Sequence, residues 1–257
     1  MRLTFLICKK EFKSYFASPI AYLLMAVFGL IFGGILYRQI RIVMAMSFQA
    51  QMMGQSQPTN LNEMIIRPLL GFASTVSLFL IPMITMRLIA EEKKTGTIEL
   101  LLTSPVKDIQ IILGKWFAAL FLYLCILGMS ALDIALLFVW GKPDWRPVLV
   151  AYLGLILQGG CLLAMGLFIS TLTKNQIIAG GITFFLCLAL LLIPYYFDTE
   201  YKTEWYWKAI NQVSIVTHFE NFSKGLLDLG DVVSYVSMIF LGLFITSRSM
   251  ESLRWRS

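Results

Sequence analysis

The sequence predicts an all-α polytopic membrane protein, a six-transmembrane-helix bundle with an N-terminal interfacial helix, a cytoplasmic helix after the second span and short external helices between spans five and six. Two observations carry this. The chain is 58% hydrophobic and only 14% charged, with a mean hydropathy of +0.76. Its apolar residues fall in runs near the roughly 20 residues that a hydrocarbon core requires. Ordinary soluble domains and disordered chains are excluded by this composition. The runs are continuous and do not alternate, which excludes a transmembrane barrel.

The elements follow in order as one transmembrane domain, 1–257. Residues 1–19 read as the interfacial helix: Phe5, Cys8, Phe12, Tyr15 and Phe16 share one face, with Lys9, Lys10 and Lys13 on the other side. Ser18-Pro19 turns the chain into the first span. The spans are expected at about 20–37, 68–86, 116–140, 148–171, 177–196 and 232–247. The last is the weakest, since it is short and carries Ser234 and Ser237. The stretch 38–66, rich in Met, Gln and Ser, has no strong periodicity and predicts a mobile external loop. A Met cluster can bind Cu(I), but the irregular spacing favours a flexible surface. Residues 197–231 form an external re-entrant segment: Trp205, Tyr206 and Trp207 suit a membrane interface, and the remainder is too polar to span and too patterned for a plain linker.

Charge sets the orientation. With the N-terminus inside, 13 of the 21 Lys and Arg lie on inner segments and 8 on outer ones, giving cytoplasmic N- and C-termini. The basic balance therefore reads as membrane topology. No basic stripe with interleaved aromatics argues for nucleic acid. A charged amphipathic stretch precedes the first apolar run and no small-residue cleavage site follows it, so the first span is expected to stay as an anchor. Cys8, Cys125, Cys161 and Cys187 are scattered and read as small packing residues, without metal or disulfide spacing. Gly29-x-x-x-Gly33, Gly159-Gly160 and Gly180-Gly181 read as close helix packing.

The most informative segment is 87–110. Glu91-Glu92-Lys93-Lys94 keeps its approach wet, Gly96 allows a bend, and Ile98, Leu101 and Leu102 share one helical face. Ser104-Pro105 then reads as an N-cap with proline at the first helical position. The wording Glu-Glu-Lys-Lys, then Gly96-Thr-Ile-Glu-Leu-Leu-Leu-Thr-Ser-Pro-Val106, then Leu113-Gly114-Lys115, closely resembles the coupling segment of type 2 ATP-binding-cassette exporter permeases. His218-Phe219-Glu220, Gly225 and Asp228 near Asp231 look like the external-helix region of the same family, and Phe16–Tyr22 resembles its elbow. Among subfamilies the likeness is to gliding-motility-associated permeases, with those for copper-enzyme maturation close behind. The Gln/Met-rich loop 38–66 matches no family feature.

The resemblance implies a permease of the bacterial inner membrane, a homodimer or a heterodimer with a related permease, partnered by a cytoplasmic ATPase subunit that holds the ATP and Mg. It also implies that Glu91, Glu92, Gly96, Thr97, Glu99 and Leu100 contact that ATPase. No phosphate-binding loop occurs in the chain, so no cofactor and no catalysis are expected in it. Asp133 is the one acid well inside a span, where a charge is costly, and is expected to face the bundle or a dimer interface, with a pathway or proton-coupling role as a further reading. His218, the only histidine, reads as hydrogen-bonding a short helix end and excludes His-rich metal sites. Asn221-Phe222-Ser223 fits a glycosylation triplet of little weight. The alternative function is an ion- or proton-coupled secondary transporter using Asp133. A lipid-modifying enzyme would need a cluster of His, Cys or acidic residues at one depth, which the sequence does not offer.

Overall fold

The computed structural model describes residues 2–54, 60–99, 106–141, 143–197 and 214–254. Among these the chain is all-helical: α1 Arg2–Ala17, α2 Pro19–Met52, a π-helical turn Asn62–Ile66, α3 Arg67–Thr85, α4 Ala90–Thr95, α5 Asp108–Trp140, α6 Trp145–Leu172, α7 Gln176–Phe197, α8 Ile215–Ser223 and α9 Leu229–Arg254. Among the described residues five helical stretches are long and apolar enough to cross a membrane: α2, the π turn with α3 and α4, α5, α6 and α9. The expected span 177–196 coincides with α7, an apolar helix of 22 residues. The fold is a multi-pass membrane bundle of apolar helices.

The caps are local chemistry. Ser18 turns α1 into α2, its Oγ accepting from Ile20 N with Pro19 in the first turn. Asp144 Oδ1 accepts from Arg146 N to start α6, and Asn175 Oδ1 accepts from Ile177 N at the start of α7. Asp228 starts α9 by accepting from Gly230 N at 3.0 Å.

Two expectations change. The stretch 38–66 is helical as far as Met52, so α2 runs for 34 residues and continues past the predicted span end at 37. Arg38 and Arg41 end the apolar run, but 38–52 contains neither Gly nor Pro, and its Met, Gln, Arg and Ala residues keep the helix going. The helix stops at Met53-Gly54, where Gly54 takes φ +68°. The weak last span is also longer than expected, part of the 26-residue α9. Ser237 Oγ donates to the Ser234 carbonyl at 2.8 Å, so this hydroxyl is satisfied within its own helix. Trp205, Tyr206 and Trp207 lie outside the described residues.

The core is built around α3 and α6. Over their apolar windows 61% of each span is buried within the chain, against 28–33% for α2, α5 and α9. Glycines let α6 approach its neighbours. Gly159 faces the Tyr123 ring of α5, Gly166 faces Thr85 of α3, and Gly154 faces Phe222 of α8. Polar groups in this core are paired: Ser74 Oγ donates to Gln158 Oε1 at 2.8 Å, and the Tyr123 hydroxyl meets Ser77 at 2.7 Å and the Leu155 carbonyl at 3.3 Å. Gly29 and Gly33 face Met129 and Asp133, which places this glycine pair in the α2–α5 contact of a single chain.

Candidate functional site

The candidate site forms where α1, α4 and the start of α5 meet. After α3 the chain turns through Met86–Ile89, with Leu88 N donating to the Thr85 carbonyl at 3.1 Å, and enters α4. This short helix is pinned to the end of α6. Ser170 Oγ accepts from both Ile89 N at 3.1 Å and Ala90 N at 3.0 Å, and Lys93 Nζ donates to the Thr171 carbonyl. Two of the four backbone donors that a helix start leaves unpaired in this stretch are thus satisfied by one side chain of another helix. Gly96 ends α4 at φ +76°, a left-handed conformation that favours glycine.

Lys115 is the centre of the site. Its side chain is 2% exposed, and Nζ sits 2.8 Å from Glu92 Oε1 and 3.2 Å from Glu11 Oε1. One buried ammonium therefore joins α1, α4 and α5. A buried cation is tolerated only when paired, and the two carboxylates, 16% and 18% exposed, keep partial contact with water. Gly114 stands beside this lysine, and a Cβ there would meet Ile7 Cγ2 at 2.8 Å, so α1 lies close on α5 at this level. Phe12 packs edge-on against Phe121, ring centroids 6.4 Å apart. The face Cys8, Phe12, Tyr15 and Phe16 is turned into the protein, whereas Phe5 is exposed.

A cleft of about 620 Å³ opens beside the triad, where the charged side chains Lys10, Glu11, Arg87, Glu91 and Glu92 stand among apolar ones such as Ile7, Leu88 and Ile111. Arg87 Nε is buried without a hydrogen-bond partner among the described residues. Tyr15 donates to the Ile84 carbonyl at 3.5 Å, and burial, with Glu11 adding to it, pushes its phenol pKa well up against the opposing Arg87 charge.

Of the residues singled out from the sequence, Glu91, Glu92 and Thr97 line this cleft. Gly96 bends the chain beside it. Glu99 is exposed in the next turn, its N–H donating to the Gly96 carbonyl at 3.4 Å. Leu100, Leu101, Leu102, Ser104 and Pro105 lie outside the described residues. Asp133 is not part of the site: it follows Lys115 by about 27 Å of helix, at 1.5 Å per residue.

His218 and Asp228 sit toward the opposite end of the bundle. There His218 Nδ1 and Asn221 Nδ2 contact the two carboxylate oxygens of Asp231 at 2.5 and 2.8 Å, joining α8 to the first turn of α9. Asp228 caps that helix, and Gly225, at φ +77°, lies against Pro147. Lys115, Glu11, Ser170 and Asp231 were not among the predicted site residues. Glu11 had a signal: it is the one acid in a helix otherwise carrying Arg2, Lys9, Lys10 and Lys13.

A family model described as "ABC-2 family transporter protein" matches residues 5–243, from the first turn of α1 into α9. The chain belongs to this family. Membership of the ABC-2 transporters accounts for a permease-type bundle of apolar helices. Two relatives are similar over part of the chain: the "Probable multidrug ABC transporter permease YbhR" of Escherichia coli K12 and its namesake of Escherichia coli O157:H7, each 27% identical over 163 residues. The match covers 62% of this chain and 42% of each relative, so well under two thirds of those proteins is represented.

Proposed function

We propose that this chain is the transmembrane permease subunit of an ATP-binding-cassette exporter, driven by a separate cytoplasmic ATPase subunit that binds ATP and Mg. The protein works as a dimer, of two copies or with a related permease, in a bacterial inner membrane with both termini cytoplasmic. It has no catalytic role of its own and no nucleic-acid partner. The Lys115 bridge carries this reading: it ties the interfacial helix and α4 to α5, so that a push on α4 from outside the membrane reaches a span through a rigid polar joint. Arg87 Nε, buried and without a hydrogen-bond partner among the described residues, suits a partner's carboxylate or carbonyl. Glu91, Gly96, Thr97 and Glu99, and by resemblance Leu100, are the ATPase-contact positions, and Glu92 serves the internal joint.

The test is co-purification of the tagged chain in mild detergent with an ATPase assay on what remains bound. A stoichiometric ATPase is expected, its stimulation lost with Glu91→Lys or a bulky residue at Gly96 while membrane insertion stays normal. Glu92 is left intact, because reversing it would also unpair Lys115. A chain that purifies alone, without ATPase activity, defeats the proposal. A second reading, an ion- or proton-coupled transporter, is favoured by one observation, the half-buried Asp133 without a hydrogen bond among the described residues. Full transport with an unchanged pH profile in Asp133→Asn would remove it.

A further inference from the structure

Between α2 and α5, at the end of the bundle away from α4, lies an apolar cleft of about 420 Å³. Leu36, Ile40 and Val43 of α2, Ile65 of the π turn and Leu136 and Leu137 of α5 line it, and among the described residues no charged side chain does. Its volume is within the roughly 300–1,000 Å³ of small-molecule sites. One helical turn further into the membrane the character changes. Asp133 precedes Leu136 and Leu137 by three and four residues, which puts it on the same face of α5. A Cβ at Gly33, three residues before Leu36, would stand 3.7 Å from Asp133 Oδ2, so the carboxylate occupies the space that this glycine leaves open. Asp133 is half-buried and makes no hydrogen bond or ion pair among the described residues. Of the two cations that follow on α2, Arg38 is exposed and Arg41 is engaged with Tyr37, donating to its hydroxyl at 3.3 Å and lying 6.0 Å from its ring centroid.

An apolar wall above a single carboxylate selects by both shape and sign. We infer that the cleft and Asp133 together bind an amphipathic organic cation, an apolar body carrying one amine or quaternary centre. The body loses its contact with water against Leu36, Ile40 and Leu137, and the positive centre meets Asp133 where the dielectric is low. A neutral molecule of the same shape leaves the carboxylate unpaired, and an anionic one meets like charge, so the same site rejects both. Gly33 leaves room for the Asp133 carboxylate beside α2, one helical turn from the cleft. The inference deepens the permease reading by naming the chemical class of the cargo and rests on that reading for transport, although binding itself needs no ATPase.

The test is equilibrium dialysis of the full-length chain in lipid nanodiscs against tetraphenylphosphonium, with empty nanodiscs subtracted. Tetraphenylborate, of the same shape and opposite charge, serves as the control. Saturable phosphonium binding is expected, weakened about tenfold or more by Asp133→Asn, retained by Asp133→Glu, and lost in Leu137→Trp, which fills the cleft. Monodisperse nanodiscs of each variant show that the bundle is intact. Equal binding in Asp133→Asn, equal binding of the borate, or no phosphonium binding overturns the inference. So does an Asp133→Asn variant that loses dimerisation with phosphonium binding unchanged. A chain that binds the cation as expected but recruits no ATPase keeps the site and loses the exporter reading.

Discussion

Replacing Lys115 by Met removes the ammonium and keeps most of its apolar stem, which isolates the charge of the α1–α4–α5 joint. At separations of 2.8 and 3.2 Å and an effective dielectric of about 20, the gross attractions to Glu92 and Glu11 are about 6 and about 5 kcal/mol. Mutual repulsion of the two carboxylates and the desolvation of three ions cancel most of this. Removing one partner of a buried ion pair nevertheless costs about 3–5 kcal/mol, because the charges left behind are stranded. Both carboxylates retain some water contact, so Lys115→Met belongs at the lower end, about 3 kcal/mol. Lys115→Met combined with Glu11→Gln and Glu92→Gln strands no charge and is expected within about 1 kcal/mol of the native protein. Reversible unfolding in mixed detergent micelles, followed by tryptophan fluorescence, measures both. A Lys115→Met protein as stable as the native one, or a triple variant no better than the single, refutes the joint as a stabilised ion triad.

Further outcomes follow from the same contacts. Ser170→Ala removes the acceptor shared by Ile89 N and Ala90 N and is expected to cost about 1–3 kcal/mol, seen as faster hydrogen exchange confined to 89–95. Gly159→Leu forces a side chain into the Tyr123 ring and is expected to lower the yield of folded protein in a membrane fraction sharply, whereas Gly181→Leu, with open space around it, is tolerated. Asp231→Asn keeps the size of the side chain but weakens its contacts with His218 and Asn221 in the first turn of α9. It is expected to cost about 1–3 kcal/mol and to raise protease nicking around α8, with α4 unaffected.

What the sequence could show was set by the range of each signal. Hydropathy and turn chemistry are local, so the bundle, the Ser18-Pro19 turn, the buried face of α1 and the close approach at Gly159 could all be read from neighbours in the chain. The Lys115 triad could not, because its partners stand 104 and 23 residues away and a lysine before an apolar run already had an explanation in membrane orientation. The length of α2 was misread for another reason. Hydropathy marks where lipid ends, not where a helix ends, and nothing between Arg38 and Met52 breaks one. At the other helix junction His218 was identified, but its partner is Asp231, a turn beyond the capping Asp228.

The 34 residues of α2 amount to about 51 Å of helix against a hydrocarbon slab of about 30 Å. Even inclined by 40°, the upper end of the usual range, it covers about 39 Å along the bilayer normal. At least about 9 Å therefore stands clear of the hydrocarbon, and straightening from 40° to 20° lifts the tip by about another 9 Å. Such a rod converts an angular change among packed helices into a vertical excursion large enough to follow with a single probe near Met52. Its height above the lipid is a gauge of the tilt of the bundle.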